Sequence, residues 1–146
     1  MTESTLSAQA ERLSRRRARM LPVLAIFYLA QQAAYFSQTE TGRPVDHVRV
    51  GAWVMMSAVL LLALVTGGFW LRSREVRAML DDESTRAHRA SAIGTGFLFA
   101  MAVGIGLYPF VSVLDISAQE AIHLIVSFGI AAALIRFGML ERRAAQ

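Results

Sequence analysis

The sequence predicts an all-α fold: an integral membrane four-helix bundle with up-down topology, N-in and C-in. Three observations carry this expectation. Four long apolar stretches occur within 146 residues that are 55% hydrophobic. Short polar connections join them, and short connections make successive helices antiparallel neighbours. Arginines gather at alternate connections, and no segment alternates in the ten-residue units of a closed barrel.

The first span is expected over 20–36, preceded by a polar arm, 1–19, that ends in Arg15, Arg16, Arg17 and Arg19. Pro22 falls in its first turn, where a missing N–H costs nothing. The arm has the charge of a secretory leader. Gln31, Gln32, Tyr35 and Phe36 follow where small residues would mark cleavage, so the helix is expected to stay as an anchor. The second span, 50–71, has 22 residues and no charge. It reaches about 33 Å, enough for a hydrocarbon core of about 30 Å. A helix apolar on every side has no face for water. Glu75, Val76, Met79 and Leu80 continue its pattern beyond Leu71.

The third span, 90–114, is also uncharged. Pro109 cannot donate to the carbonyl of Ile105, which predicts a kinked or loosened end. A tight turn at Asp115 leads to the fourth span, 118–140, and residues 141–146 form a short tail.

All 15 basic residues are arginine. Five precede the first span, five (Arg72, Arg74, Arg77, Arg86, Arg89) lie between the second and third, and three (Arg136, Arg142, Arg143) mark the C-terminal end. Only Arg43 and Arg49 fall on the other side. Cytoplasmic segments carry the arginine excess, so both termini and the middle connection are expected in the cytoplasm. The same placement accounts for the net charge of +4 without direct nucleic-acid contact. With no cysteine, disulfides, thiolate metal sites, cysteine nucleophiles and cysteine-borne lipid anchors are excluded.

The middle connection offers the acidic run Asp81-Asp82-Glu83, with Ser84 and Thr85, at the start of the third helix, where the helix dipole favours negative charge. Asp82 and Arg86 stand at i,i+4 there. This cluster, running into a Gly/Ala-rich apolar helix, resembles that of small four-helix bacterial inner-membrane proteins of an uncharacterised family. They often carry an Asp-Glu-x-x-Arg-like motif between helices two and three, matched here by Asp82, Glu83 and Arg86. The resemblance implies fold and location, not mechanism. Size and plan also resemble bacterial membrane inhibitors that hold a cytosolic transcription regulator at the membrane.

Four groups of residues are candidates for function. Arg74, Arg77, Asp82, Glu83, Arg86 and Arg89 form a partner-binding face on the cytoplasmic side. Ala92, Gly96, Ala100 and Gly104 recur every four residues, a small-xxx-small stripe that lets another helix approach, within the chain or across a homodimer. Tyr28, Gln31, Gln32 and Tyr35 form a polar stripe that should face the bundle interior, by interhelical bonding or around a polar cavity with His123. Glu120 and His123 share a helical face, as in di-iron bundles, but no second such pair exists, and a solvated cluster near Asp115, Asp46 and His47 is the expectation. His88, between Arg86 and Arg89, is expected to be solvated too.

No P-loop, G-x-S-x-G or H-E-x-x-H occurs, so neither catalysis nor a cofactor is expected. Small multidrug carriers resemble the chain in size but depend on a glutamate in their first helix, which is lacking here. The expected role is regulatory or accessory binding of a membrane or cytosolic partner. The alternative is a small transporter or channel.

Overall fold

Among the described residues the helices are α1 (Glu3–Phe36), α2 (Pro44–Thr66), α3 (Glu83–Leu107) and α4 (Ala118–Ala144), with a 3-10 turn (Tyr108–Phe110) after α3. The computed structural model describes residues 3–36, 44–67 and 83–144, and no strand occurs among them. The fold is an all-α helical bundle. Among the described residues three helical segments are long and apolar enough to cross a membrane: His47–Thr66, Glu83–Phe110 and Ala118–Ala144. In α1 the apolar part is only 20–36, and Gln31 and Gln32 interrupt it.

Several boundaries differ from the sequence expectation, each for a local reason. Helix α1 starts at Glu3, so the polar arm is helical and Pro22 lies inside the helix, not in its first turn. Gly138 accommodates it. A Cβ on Gly138 would come within 2.7 Å of the Pro22 ring and 3.4 Å of the Ala18 carbonyl oxygen, the acceptor that Pro22 cannot serve. Helix α2 takes in 44–49, with proline leading, and ends at Thr66. Gly67 follows with φ 70°, the left-handed conformation that stops a helix and suits glycine. Residues 68–82, with the expected extension, lie outside the described residues. Helix α3 ends at Leu107, and Pro109 sits in the 3-10 turn that replaces the expected run to Leu114. Asp115 closes the turn with φ 49°, which a short polar side chain tolerates.

The start of α4 is a capping box. The Ser117 N–H and hydroxyl each donate to Glu120 Oε2 at 2.8 Å, and the Glu120 N–H donates to Ser117 Oγ at 3.2 Å. Contacts fix the relative directions of the helices. Arg17 meets Glu141 and Gln32 meets His123, so α1 runs antiparallel to α4. From Glu141 to His123, α4 rises about 27 Å, and the stretch of α1 paired with it, Arg17 to Gln32, rises about 22 Å. Tyr28 meets Ser57 and Arg17 meets Gly67, so α1 is antiparallel to α2 as well. Gly96 opposite Ala133, with Gly104 opposite Ile125, makes α3 antiparallel to α4.

The core is centred on α4. Ile130, Ala131, Ala133, Leu134 and Phe137 are buried there, joined by Leu21, Ala25 and Tyr28 of α1, Leu60 and Leu64 of α2 and Ala92 of α3. Half of α4's apolar window is buried (50%), against 17% in α2 and 11% in α3. Large exposed side chains such as Ile26, Phe27, Met55, Phe97 and Leu98 face outward from the other helices. A water-soluble bundle would not leave so much apolar surface uncovered, whereas lipid tolerates it.

Candidate functional site

Two buried polar groups hold the bundle, one in each half. The first builds on one face of α1: Tyr28 and Gln32, four residues apart, point at α2 and α4. Tyr28 Oη lies 2.7 Å from Ser57 Oγ and 3.4 Å from Ser127 Oγ. Trp53 Nε1 donates to Ser127 Oγ at 3.2 Å. His123 Nε2 donates to Gln32 Oε1, and its ring stacks on Trp53 with centroids 4.2 Å apart and planes 17° from parallel. A hydroxyl both donates and accepts, so one donor order runs Trp53 to Ser127 to Tyr28 to Ser57. Tyr28, Ser127 and His123 are all but fully buried.

The second group lies at the arginine-rich ends of the helices. Glu141, on the last turns of α4, is 3% exposed and takes an ion pair from Arg17 of α1. His88 Nδ1 of α3 approaches its other carboxylate oxygen at 3.2 Å. Arg17 also donates to the Gly67 carbonyl at 3.2 Å, at the C-terminus of α2 where the helix dipole favours a cation. Its guanidinium carbon lies 5.1 Å from the Phe137 ring centroid, within cation–π reach. One carboxylate and one guanidinium thus tie together all four helices.

Between the two groups runs the seam of α3 on α4. Ala92 is fully buried. A Cβ on Gly96 would lie 2.7 Å from the Gly129 carbonyl oxygen and 2.8 Å from Ala133 Cβ. One on Gly129 would lie 3.0 Å from Ala100 Cβ, and one on Gly104 3.4 Å from Ile125. The stripe of small residues therefore faces α4 of the same chain.

The structure brings Tyr28, Gln32 and His123 together and corrects three expectations. Gln31 is exposed, because Gln32, a full four residues from Tyr28, takes the inward position. His123 is not solvated: it is 2% exposed, and Trp53 and Gln32 cover it. Glu120, its expected partner, is instead held by Ser117. His88 is half-buried against Glu141 and not solvated. The Tyr35 side chain lies outside the described residues, as do Arg74, Arg77 and Asp82; Glu83 and Arg86 are exposed on the first turn of α3, and Arg89 is half-buried. Sequence reasoning missed Arg17, Glu141, Trp53, Ser57 and Ser127.

No protein-family model, curated protein or solved structure matches this chain. The fold and the two buried groups therefore carry the functional argument.

Proposed function

We propose that this is a polytopic protein of a bacterial inner membrane, crossing four times with both termini cytoplasmic. It acts as a regulatory or accessory protein, without enzymatic activity, that binds a protein partner through its cytoplasmic face. The observation that carries this reading is the fixed geometry of the arginine-rich helix ends. Orientation requires only that arginines be present, in any conformation. Here α1 stays helical through Arg12, Arg15, Arg16 and Arg19, which are exposed, and α4 through exposed Arg142 and Arg143. The Arg17–Glu141–His88 cluster locks these ends against one another. A rigid basic surface suits an acidic partner, held by charge complementarity. The fourth crossing is supported by α1 accompanying α4 from Glu141 to His123.

Affinity purification of the solubilised protein from its native membrane tests the reading. Wild type is expected to retain a protein partner, and the double variant Arg12→Gln, Arg16→Gln, which removes two exposed charges of that surface, to lose it while inserting normally, since the remaining arginines still far outnumber Arg43 and Arg49 on the other side. Reporters fused after Gln146 and near Gly42 are expected on opposite sides of the membrane. The same side for both would remove the orientation and, with it, the cytoplasmic face.

The rival reading, a small transporter or channel, draws on Tyr28, Gln32 and His123 buried in the outer half. Those groups already have partners within the bundle: Gln32 and His123 bond each other, and Tyr28 bonds Ser57. Substrate-dependent flux in proteoliposomes, with no partner recovered, would favour it.

A further inference from the structure

Among the described residues, open grooves lie on two sides of α4. One, of about 290 Å³, lies between α2 and α3 over Gly129 and Ala133, and its lining carries no charge. The other, of about 330 Å³, lies between α1 and α3: Leu29 forms one wall, Thr95 and Phe99 the other, and Ala132, Ile135 and Arg136 lie along α4. Its residues on α4 run from Phe128 to Met139, a rise of about 16 Å, roughly half of a hydrocarbon core of about 30 Å. The groove is therefore about one leaflet deep. Among the described residues its one charged lining residue, Arg136, stands near the arginine-rich end and is half-buried. No ion pair engages it among the described residues.

We infer that this second groove is a binding site for an anionic phospholipid of the cytoplasmic leaflet. An acyl chain lies along Ile135, Ala132 and Phe99 towards Phe128, and Arg136 meets the headgroup phosphate. A guanidinium offers paired donors to phosphate oxygens, and basic sites between helices on the cytoplasmic side favour anionic headgroups. An apolar wall alone selects no lipid, which is why the uncharged groove carries no such assignment. The leaflet rests on the orientation proposed above; lipid retention in detergent does not, so the two ideas fail separately.

Native mass spectrometry of the purified full chain, given equimolar phosphatidylglycerol and phosphatidylcholine with the same acyl chains, tests the inference. Wild type is expected to retain phosphatidylglycerol about fivefold over phosphatidylcholine, the ratio one arginine beside an anionic surface supplies. Arg136→Gln should bring the two lipids to parity, Arg136→Lys should keep the preference, and Arg143→Gln, further along α4, should leave it unchanged. Ala132→Trp, which fills the groove, should lower retention of both lipids. Size-exclusion and helical circular dichroism identify any variant that does not fold, and the wild-type ratio decides without it. No preference in wild type overturns the site. So does an equal loss in Arg143→Gln, or a dimer that Ala132→Trp dissociates, since a second copy would then be the occupant.

Discussion

The two buried polar groups do the same job with different chemistry. In one half, Tyr28, Ser57, Ser127, Gln32, Trp53 and His123 join three helices through hydroxyls, an amide, an indole and an imidazole. At the other end, a guanidinium and a carboxylate join four. Inside hydrocarbon, interhelical hydrogen bonds add little, about 0.6 kcal/mol on average, because a dissociated helix also finds partners. A buried ion pair adds little as a pair either, yet removing one member leaves a charge in a poor solvent, at about 3–5 kcal/mol. The comparison teaches that the polar half sets which faces meet, while the charged end makes a wrong assembly expensive.

The largest expected effect comes from Glu141→Ala, which deprives the Arg17 guanidinium of its carboxylate. Thermal unfolding in mild detergent should report a loss of about 3–5 kcal/mol. A loss no greater than that of Tyr28→Phe would break the comparison. Gly96→Leu comes next. It lies on the seam between the two groups and touches neither, so its expected loss of about 1–3 kcal/mol measures packing alone. Gly94, with nothing within 4 Å of an added Cβ, serves as its control, and Gly94→Leu should be nearly neutral. The smallest effect is that of Tyr28→Phe, about 0.6 kcal/mol and at most about 1.7. Exposed Gln31→Ala should change less still. If Tyr28→Phe exceeded Gly96→Leu, the hydroxyl network would be a principal source of stability and not a guide to register.

Much of this was legible in the sequence, because composition and periodicity report it directly. The apolar stretches become helices, and the four-residue stripe from Ala92 to Gly104 marks the face that meets α4. The charged cluster was harder to read. Arg17 stands among Arg15, Arg16 and Arg19, and its carboxylate partner is 124 positions away. Helical phase was the available signal. Arg17 lies on the row that continues through Leu21, Ala25, Tyr28 and Gln32, and Glu141 on the row through Ile130, Leu134 and Phe137. A charge that extends a buried row invites a search for its partner. Ser57 and Ser127 gave no such hint, since single serines are ordinary in apolar helices. The ends of α2 and α3 turned on single residues, Gly67 and Pro109, that a hydropathy pattern passes over.

The central place of α4 bears on how the protein is made. A ribosome releases α1, α2 and α3 to the membrane before the helix they pack on has been synthesised. Until then Ala25, Tyr28, Ala92 and Gly96 face lipid or whatever assists insertion, and Arg17 waits for a carboxylate near the far end of the message. Assembly of the bundle is therefore a late event, triggered by the arrival of α4 and not built up helix by helix. A frameshift or stop codon within α4 would leave α1, α2 and α3 with their buried faces open, a ready substrate for membrane proteases.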